Sequence, residues 1–237
     1  MSGTAVLPDE ILLGDLRFEV RLSHRATVGI TVDRDGSLLL HAPIDCHAEA
    51  LAWWAYSKRR WIYRKLAEKD VLLSARPAKE FVTGEGFAYL GRSHRLKVTE
   101  VPTVKLERGR LLLPRSTATS GDAGAVLMRW YRTRGGDWLS SRLKPWVNRM
   151  DLHPTGLDIR DLGYRWGSLS RNGRLNIHWA TMQLPPSLID YVLVHELAHM
   201  KYERHTPRFW AIVERAMSDF EQRKSALATT GATLWLG

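Results

Sequence analysis

The sequence has little of what extracellular and membrane proteins depend on. Among 237 residues, Cys46 is the single cysteine, so no disulfide can form within the chain. The first thirty residues contain no basic start followed by an apolar run, the pattern of a secretory leader. Apolar runs such as the one that ends at Val194 stop far short of the roughly 20 residues that span a bilayer. We therefore expect a cytoplasmic protein without a membrane partner.

The composition is that of an ordinary folded protein. Hydrophobic residues make up 44% of the chain and charged residues 25%, which excludes disordered and collagen-like classes. A chain of this length buries about 70% of its unfolded surface, so a core forms without disulfide or metal staples. Lysine and arginine number 35 against 25 acids, and the formal charge of +10 raises the question of an anionic partner.

Basic residues are most concentrated between Trp53 and Lys69, where they interleave with aromatic residues. The segment contains Lys58, Arg59, Arg60, Arg64, Lys65 and Lys69, the aromatics Trp53, Trp54, Tyr56, Trp61 and Tyr63, and the acid Glu68. Such a surface can contact phosphates and stack on bases. General helix patterning favours the alternative, an amphipathic helix that buries its tryptophans and leaves its charges in solvent. We expect weak, sequence-independent nucleic-acid binding at most.

The N-terminal half alternates between strand-like and helix-like patterns. Leu16 to Leu40 and Phe81 to Leu113 carry alternating apolar residues and predict strands. Ala48 to Glu68 has near-helical apolar spacing without proline or glycine, which predicts one long helix. The small, polar residues 116–124 predict a linker. The expected division is a β-rich region at 1–115 with a basic helix and a second domain at 125–237, unless the two form one continuous domain.

The second domain begins with a helix-like segment from Val126 to Met150, interrupted by Gly135-Gly136 and Pro145. Leu157 to Leu162 and Arg174 to Trp179 predict two strands of an antiparallel pair. We place Leu175 to Trp179 at a sheet edge, where an extended peptide could add by main-chain hydrogen bonds. An inner strand with both edges paired is the alternative.

A metal-binding pattern lies in the next predicted helix, which opens at Pro185-Pro186. His195 and His199 are four residues apart, so both imidazoles lie on one helix face and can reach one zinc ion. Glu196 is rotated about 100° from His195, where a carboxylate can touch a metal-activated water without becoming a ligand. The pattern predicts a catalytic zinc with Glu196 as the general base.

A catalytic zinc usually has three protein ligands, and His205 is the first choice for the third. A continuous helix would place His205 about 9 Å beyond His199 along the axis, so the helix must end early. Thr206 as an N-cap and Pro207 in a first helical turn supply the required break. Three other residues remain alternatives, namely Glu203, Glu214 and His178.

Several motifs together resemble the YgjP-like metallopeptidase family, predicted zinc-dependent hydrolases related to SprT-like proteases. The specific ones are C-terminal: Arg165-Trp166-Gly167-Ser168, Asn176, Pro185-Pro186, Asp190-Tyr191-Val192, His195-Glu196-Leu197-Ala198-His199 and His205 to Trp210. Weaker similarity runs upstream, through Ser57-Lys58-Arg59, Trp61-Ile62 and Gly84-Glu85 to Leu90-Gly91-Arg92. Two departures are Leu169, where a cysteine is frequent, and the absence of a proline near Ser218; neither touches the predicted metal ligands.

The resemblance implies an α+β, zincin-like core in which the active-site helix lies against a small antiparallel sheet. It also implies that His195, His199 and His205 hold the metal, with Glu196 as base, for hydrolysis of a peptide or protein substrate. The donor that stabilises the oxyanion stays open, with Tyr202, His178 and Arg208 near in the chain. A nucleic-acid-associated protein, with structural zinc or with protease activity on DNA-bound proteins, is the alternative function.

Overall fold

The computed structural model describes residues 8–32, 37–73, 79–163 and 165–235. The side chains of residues 67–73, among them Glu68 and Lys69, lie outside this description. The chain divides into two compact units, Met1–Ala75 and Arg76–Gly237, each with its own hydrophobic core. Among the described residues, no helix combines the length and the apolar character needed to cross a membrane.

The first unit is a four-stranded sheet with two helices. The strands follow the order β1-β2-β4-β3, in which β2 and β4 are parallel and the outer pairs antiparallel. Phe18, Leu40, Leu51 and Ile62 are fully buried and form the centre of its core. The elements are β1 (Glu10–Leu13), β2 (Leu16–Ser23), β3 (Gly29–Val32), β4 (Leu38–Pro43), α1 (Ala48–Ser57) and α2 (Arg59–Leu73).

The single long helix predicted from Ala48 to Glu68 is wrong, because the helix breaks at Lys58. The Lys58 N–H bonds the Ala55 carbonyl at 3.0 Å, a tightened last turn. The Ser57 hydroxyl donates to the Trp54 carbonyl at 2.6 Å, which satisfies the backbone locally and competes with helix continuation.

The second unit begins with another four-stranded sheet, ordered β5-β6-β8-β7 with β6 and β8 parallel, and continues into a helical region around a three-stranded sheet. The first part consists of β5 (Gly86–Tyr89), β6 (Arg92–Thr99), β7 (Lys105–Glu107), β8 (Arg110–Pro114), α3 (Arg115–Ser120) and α4 (Ala123–Met150). The second part consists of β9 (Gly156–Arg160), β10 (Gly167–Leu169), β11 (Arg174–His178), a 3₁₀ helix (Trp179–Gln183), α5 (Pro186–Ala198), α6 (Pro207–Ala216) and α7 (Phe220–Ala232). The predicted α+β class is confirmed.

The boundary between the units differs from the division predicted at residues 116–124. That segment folds into α3 and the start of α4 and is no linker. Phe87, Leu96 and Leu113 of the preceding sheet are buried in the same core as the C-terminal helices. The apolar faces of β5 to β8 therefore belong to the second unit.

Helix α4 continues through the Gly135-Gly136 pair without interruption, and Gly135 allows the helix to pack closely against β9. A Cβ atom at Gly135 would lie 2.6 Å from Cδ1 of Ile159 in β9, closer than carbon atoms approach. The close contact between helix and strand depends on this glycine. Pro145 is also accommodated inside the helix.

The three-stranded sheet differs from its prediction in two ways. Its order is β10-β11-β9, with β11 parallel to β9 and antiparallel to β10, so the expected small antiparallel sheet is mixed. The segment from Leu175 to Trp179 forms most of β11 and is the central strand, not an edge. Leu175 and Ile177 are fully buried, and strands cover β11 on both sides.

Candidate metal centre and its groove

Helix α5 positions the first residues of the site. Pro185 is its N-cap and Pro186 its first residue, where a missing N–H costs nothing. The helix is buried along most of its length, from Leu188 to Ala198, so its rotation is fixed by packing. The Tyr202 N–H bonds the Ala198 carbonyl, and this bond closes the turn that ends the helix.

The chain then turns back as the sequence predicts. Thr206 is the N-cap of α6, and its hydroxyl accepts the Phe209 N–H at 3.4 Å. Pro207 is the first residue of α6. The break between the helices places His205 opposite the histidines of α5.

His195, His199 and His205 converge into one cluster. Their ring centroids are 4.8 to 5.0 Å apart, nearly an equilateral triangle. One nitrogen from each ring lies within 4.8 Å of the others, a spacing that one metal ion can bridge. Phe209 packs against all three rings at 4.7 to 5.0 Å, and Trp210 stacks on His205 at 5.5 Å, so both aromatics orient the imidazoles.

The hydrogen bonds and pKa values of the histidines fit metal ligation. Nδ1 of His199 lies 3.1 Å from the Tyr202 carbonyl, which can only accept, so Nδ1 is the donor and Nε2 is the nitrogen left to bind a metal. Nε2 of His195 and Nε2 of His205 face each other at 2.9 Å, an approach that requires a proton or a cation between them. Burial, assisted by the neighbouring histidines, lowers the pKa of His195 to about 3, and burial also lowers the pKa of His205. Neutral imidazoles are the form that binds zinc.

Glu196 lies beside this cluster and is only 7% exposed. Burial raises the pKa of its carboxyl from 4.5 to about 7, although the charge of Arg165 acts in the opposite direction. Strand β10 lies directly over this side chain. A Cβ atom at Gly167 would be 2.6 Å from Cγ of Glu196 and 2.8 Å from Oε1, so only glycine leaves room for the carboxyl.

A groove of about 1040 Å³ runs along the histidine cluster, large enough for several peptide residues. One wall is β10 with its flanking residues, from Arg165 to Arg171, and the other includes Lys224 and Leu227 of α7. Tyr191 also lines it, with its ring centroid 5.8 Å from that of His195. Burial and the nearby charge of Glu196 raise the Tyr191 pKa to about 12, so its hydroxyl keeps its proton as a donor.

An ion pair between Arg142 and Asp190 attaches helix α5 to helix α4. Asp190 is buried and accepts two hydrogen bonds from Arg142 of α4, at 2.7 and 2.6 Å. The indole N–H of Trp146 donates to the same carboxylate at 3.1 Å. These bonds tie α5 to α4 five residues before His195.

The alternative third ligands are not part of the histidine cluster in the described structure. Glu203 lines the groove but lies outside the three-histidine group, and Glu214 lines a separate depression beside α7. His178 is buried at the end of β11, where Nδ1 accepts the Ala180 N–H at 3.0 Å and Nε2 lies 3.3 Å from Asp161.

Two polar residues that line the groove were not singled out from the sequence as functional, Tyr191 and Lys224. Within the described part of the chain, none of the three donors considered from sequence, Tyr202, His178 and Arg208, lines it, whereas Tyr191 and Lys224 do. Tyr191 precedes His195 by four residues, so helical spacing alone would place it on the ligand face. Lys224, whose ammonium lies 4.4 Å from the Trp210 ring centroid, comes from α7 and has no such signal.

Comparison with known proteins identifies the family to which most of the chain is similar. The model of the YgjP-like metallopeptidase domain matches residues 26–230. No curated protein matches the chain. Among solved structures, the chain is similar to the metallopeptidase zymogen of Pyrococcus abyssi abylysin, with 23% sequence identity over 40% of this chain and 96% of that chain and a TM-score of 0.37.

Proposed function

The chain belongs to the YgjP-like metallopeptidase family and is therefore a hydrolase, and on that premise we propose that it is a zinc-dependent peptidase with Glu196 as its general base. His195, His199 and His205 would hold the ion. The observation that carries the proposal is the convergence of these three rings beside a buried glutamate in the wall of an open groove. A closed structural zinc site needs a fourth protein ligand and no such carboxylate.

Imidazole nitrogens suit zinc, and the facing nitrogens of His195 and His205 suit a cation between them. A bound zinc ion supplies Lewis acidity, which polarises a peptide carbonyl and makes water a usable nucleophile near neutral pH. Glu196 accepts the proton of the attacking water as the oxygen bonds to the carbonyl carbon. It then passes that proton to the leaving amine as the C–N bond breaks.

The environment of Glu196 matches this role. In the metal-free protein, burial raises the pKa of this carboxyl to about 7, and the resulting affinity for a proton favours its use as a base. Gly167 fixes the carboxyl position, since any larger residue there would displace it. Tyr191 lines the groove and its raised pKa keeps the hydroxyl protonated, so we propose this hydroxyl as the donor to the oxyanion that develops on the carbonyl.

The proposed substrate is an extended peptide that pairs with β10. This strand forms the outer edge of its sheet in the described structure and also lines the groove. Its unpaired N–H and C=O groups can bond a peptide main chain regardless of side chains, which suits broad sequence tolerance. The packing of α5 against β10 supports a zincin-like arrangement of helix and edge strand.

The test uses the zinc-loaded full chain and unfolded, fluorescently labelled casein. Glu196→Gln keeps the size of the side chain and removes the base, so we expect one zinc per chain and a loss of at least about 10²-fold in rate. Glu221→Gln, an exposed glutamate at the start of α7, is the matched control and should behave as wild type. Full activity of Glu196→Gln would exclude the proposed base.

A further inference from the structure

The first unit exposes aromatic side chains that a folded protein normally covers. Trp53 is 74% exposed, Tyr56 52%, Tyr63 43% and Trp61 37%. The amphipathic-helix interpretation, in which the tryptophans are buried, is therefore wrong for Trp53 and Trp61. The side chains that fill the core from these helices are Leu51, Ala55 and Ile62.

On α2, cations lie between two of the exposed aromatics. At 100° per residue, Arg60 and Arg64 lie about 40° apart on the outer face of α2. Tyr63 lies about 60° from Arg60 on one side, and Trp61 lies about 60° from Arg64 on the other. Both arginines are exposed. The Arg59 guanidinium, at the start of α2, stacks over the ring of Tyr56 on α1, 4.3 Å from its centroid. We call Trp53, Tyr56, Arg60, Trp61, Tyr63 and Arg64 the basic–aromatic surface.

We infer that the basic–aromatic surface binds single-stranded nucleic acid, with Arg60 and Arg64 on phosphates and Trp53 and Trp61 stacked on bases. Charge complementarity supports this partner, because Lys58 and Arg59, which directly precede Arg60 in the chain, are exposed as well. Among the described side chains, two acids border the surface: Glu49 on α1, and Asp15, which accepts a hydrogen bond from the Tyr63 hydroxyl. In that described set the cations outnumber the acids.

The arrangement favours nucleic acid over a membrane. A helix that lies in a lipid interface collects its apolar side chains on one face and its cations on the other. Here the arginines of α2 separate Trp61 from Tyr63, so inserting both aromatics into lipid would also insert the charges. A single strand presents phosphates and bases side by side, as this surface requires.

The experiment measures fluorescence anisotropy of a labelled 30-nucleotide single-stranded DNA with the full chain at several salt concentrations. About four phosphate contacts give a slope near −3 for log affinity against log salt. Trp53→Ala should weaken binding about tenfold at an unchanged slope, the effect of losing one stacked base. Arg60→Gln with Arg64→Gln should make the slope shallower by about 1.4.

The matched control is Arg108→Gln with Arg129→Gln, two exposed arginines of the second unit. It removes the same charge and should leave affinity and slope unchanged, with circular dichroism as the folding check for every variant. Absence of binding at 50 mM salt would overturn the inference, as would equal effects of the two arginine pairs. Trp53-dependent binding to anionic phosphatidylserine vesicles as tight as to DNA, or tighter binding to a duplex of the same sequence, would also overturn it.

Discussion

Burial of Glu196 makes the metal-free protein sensitive to pH in a way that one substitution removes. Its pKa is raised from 4.5 to about 7, so the folded state binds the proton more tightly than the unfolded state does. The resulting stability is fully present below pH 4.5 and is lost as pH rises through about 7. At 1.36 kcal/mol for each pKa unit, the loss is about 3 kcal/mol.

Glutamine has nearly the same volume and does not titrate, so Glu196→Gln escapes this loss. In protein stripped of metal with EDTA, the variant and wild type should have similar stability at pH 4.5 and differ by about 3 kcal/mol at pH 8, with the variant more stable. For a unit of this size that difference corresponds to about 6 to 12 °C in melting temperature.

Differential scanning calorimetry of both proteins between pH 4.5 and pH 8 measures the effect. Glu221→Gln is the control, because it makes the same chemical change at an exposed position of α7. A melting-temperature difference that stays the same from pH 4.5 to pH 8, or a variant less stable than wild type at pH 8, would refute the reasoning.

Three further substitutions test separate parts of the site. Gly167→Ala should displace Glu196, the proposed general base, and reduce casein hydrolysis by about 10²-fold with zinc content unchanged. Gly136→Ala, where a Cβ meets nothing within 4 Å, should stay active, and equal activity of the two variants would contradict the steric argument. Tyr191→Phe should lower kcat by about 10² to 10³ at constant zinc content, and an unchanged kcat would remove Tyr191 as the oxyanion donor. Arg142→Met leaves Asp190 buried with fewer partners and should cost about 3 kcal/mol in urea unfolding; a loss below about 1 kcal/mol would show that the ion pair does not anchor α5.

Local sequence signals predicted the local geometry of the site well. The prolines at the start of α5, the four-residue spacing of His195 and His199, and the capping residues Thr206 and Pro207 are short-range features with direct physical meanings. They led to the turn that brings His205 to the other two histidines. The same helical spacing also places Tyr191, four residues before His195, on the ligand face, although the sequence analysis assigned it no role in the site.

Features that depend on distant residues were predicted poorly. The spacing of apolar residues shows that 174–178 is a strand, but β9 and β10 decide whether it lies at an edge. The break at Lys58 is an exception, because it is local: the Ser57 hydroxyl bonds a carbonyl three residues earlier, which hydrophobic periodicity does not report. Exposure of Trp53 depends on how the helices pack, because an aromatic residue on a helix is as compatible with a core as with a binding surface.

Zinc content tests the central claim most directly. Native mass spectrometry of the reconstituted wild type should show one zinc per chain, and the double variant His195→Ala/His199→Ala should show none while keeping its fold by circular dichroism. A wild type that remains metal-free after reconstitution, or a double variant that binds the ion as well as wild type, would contradict the account.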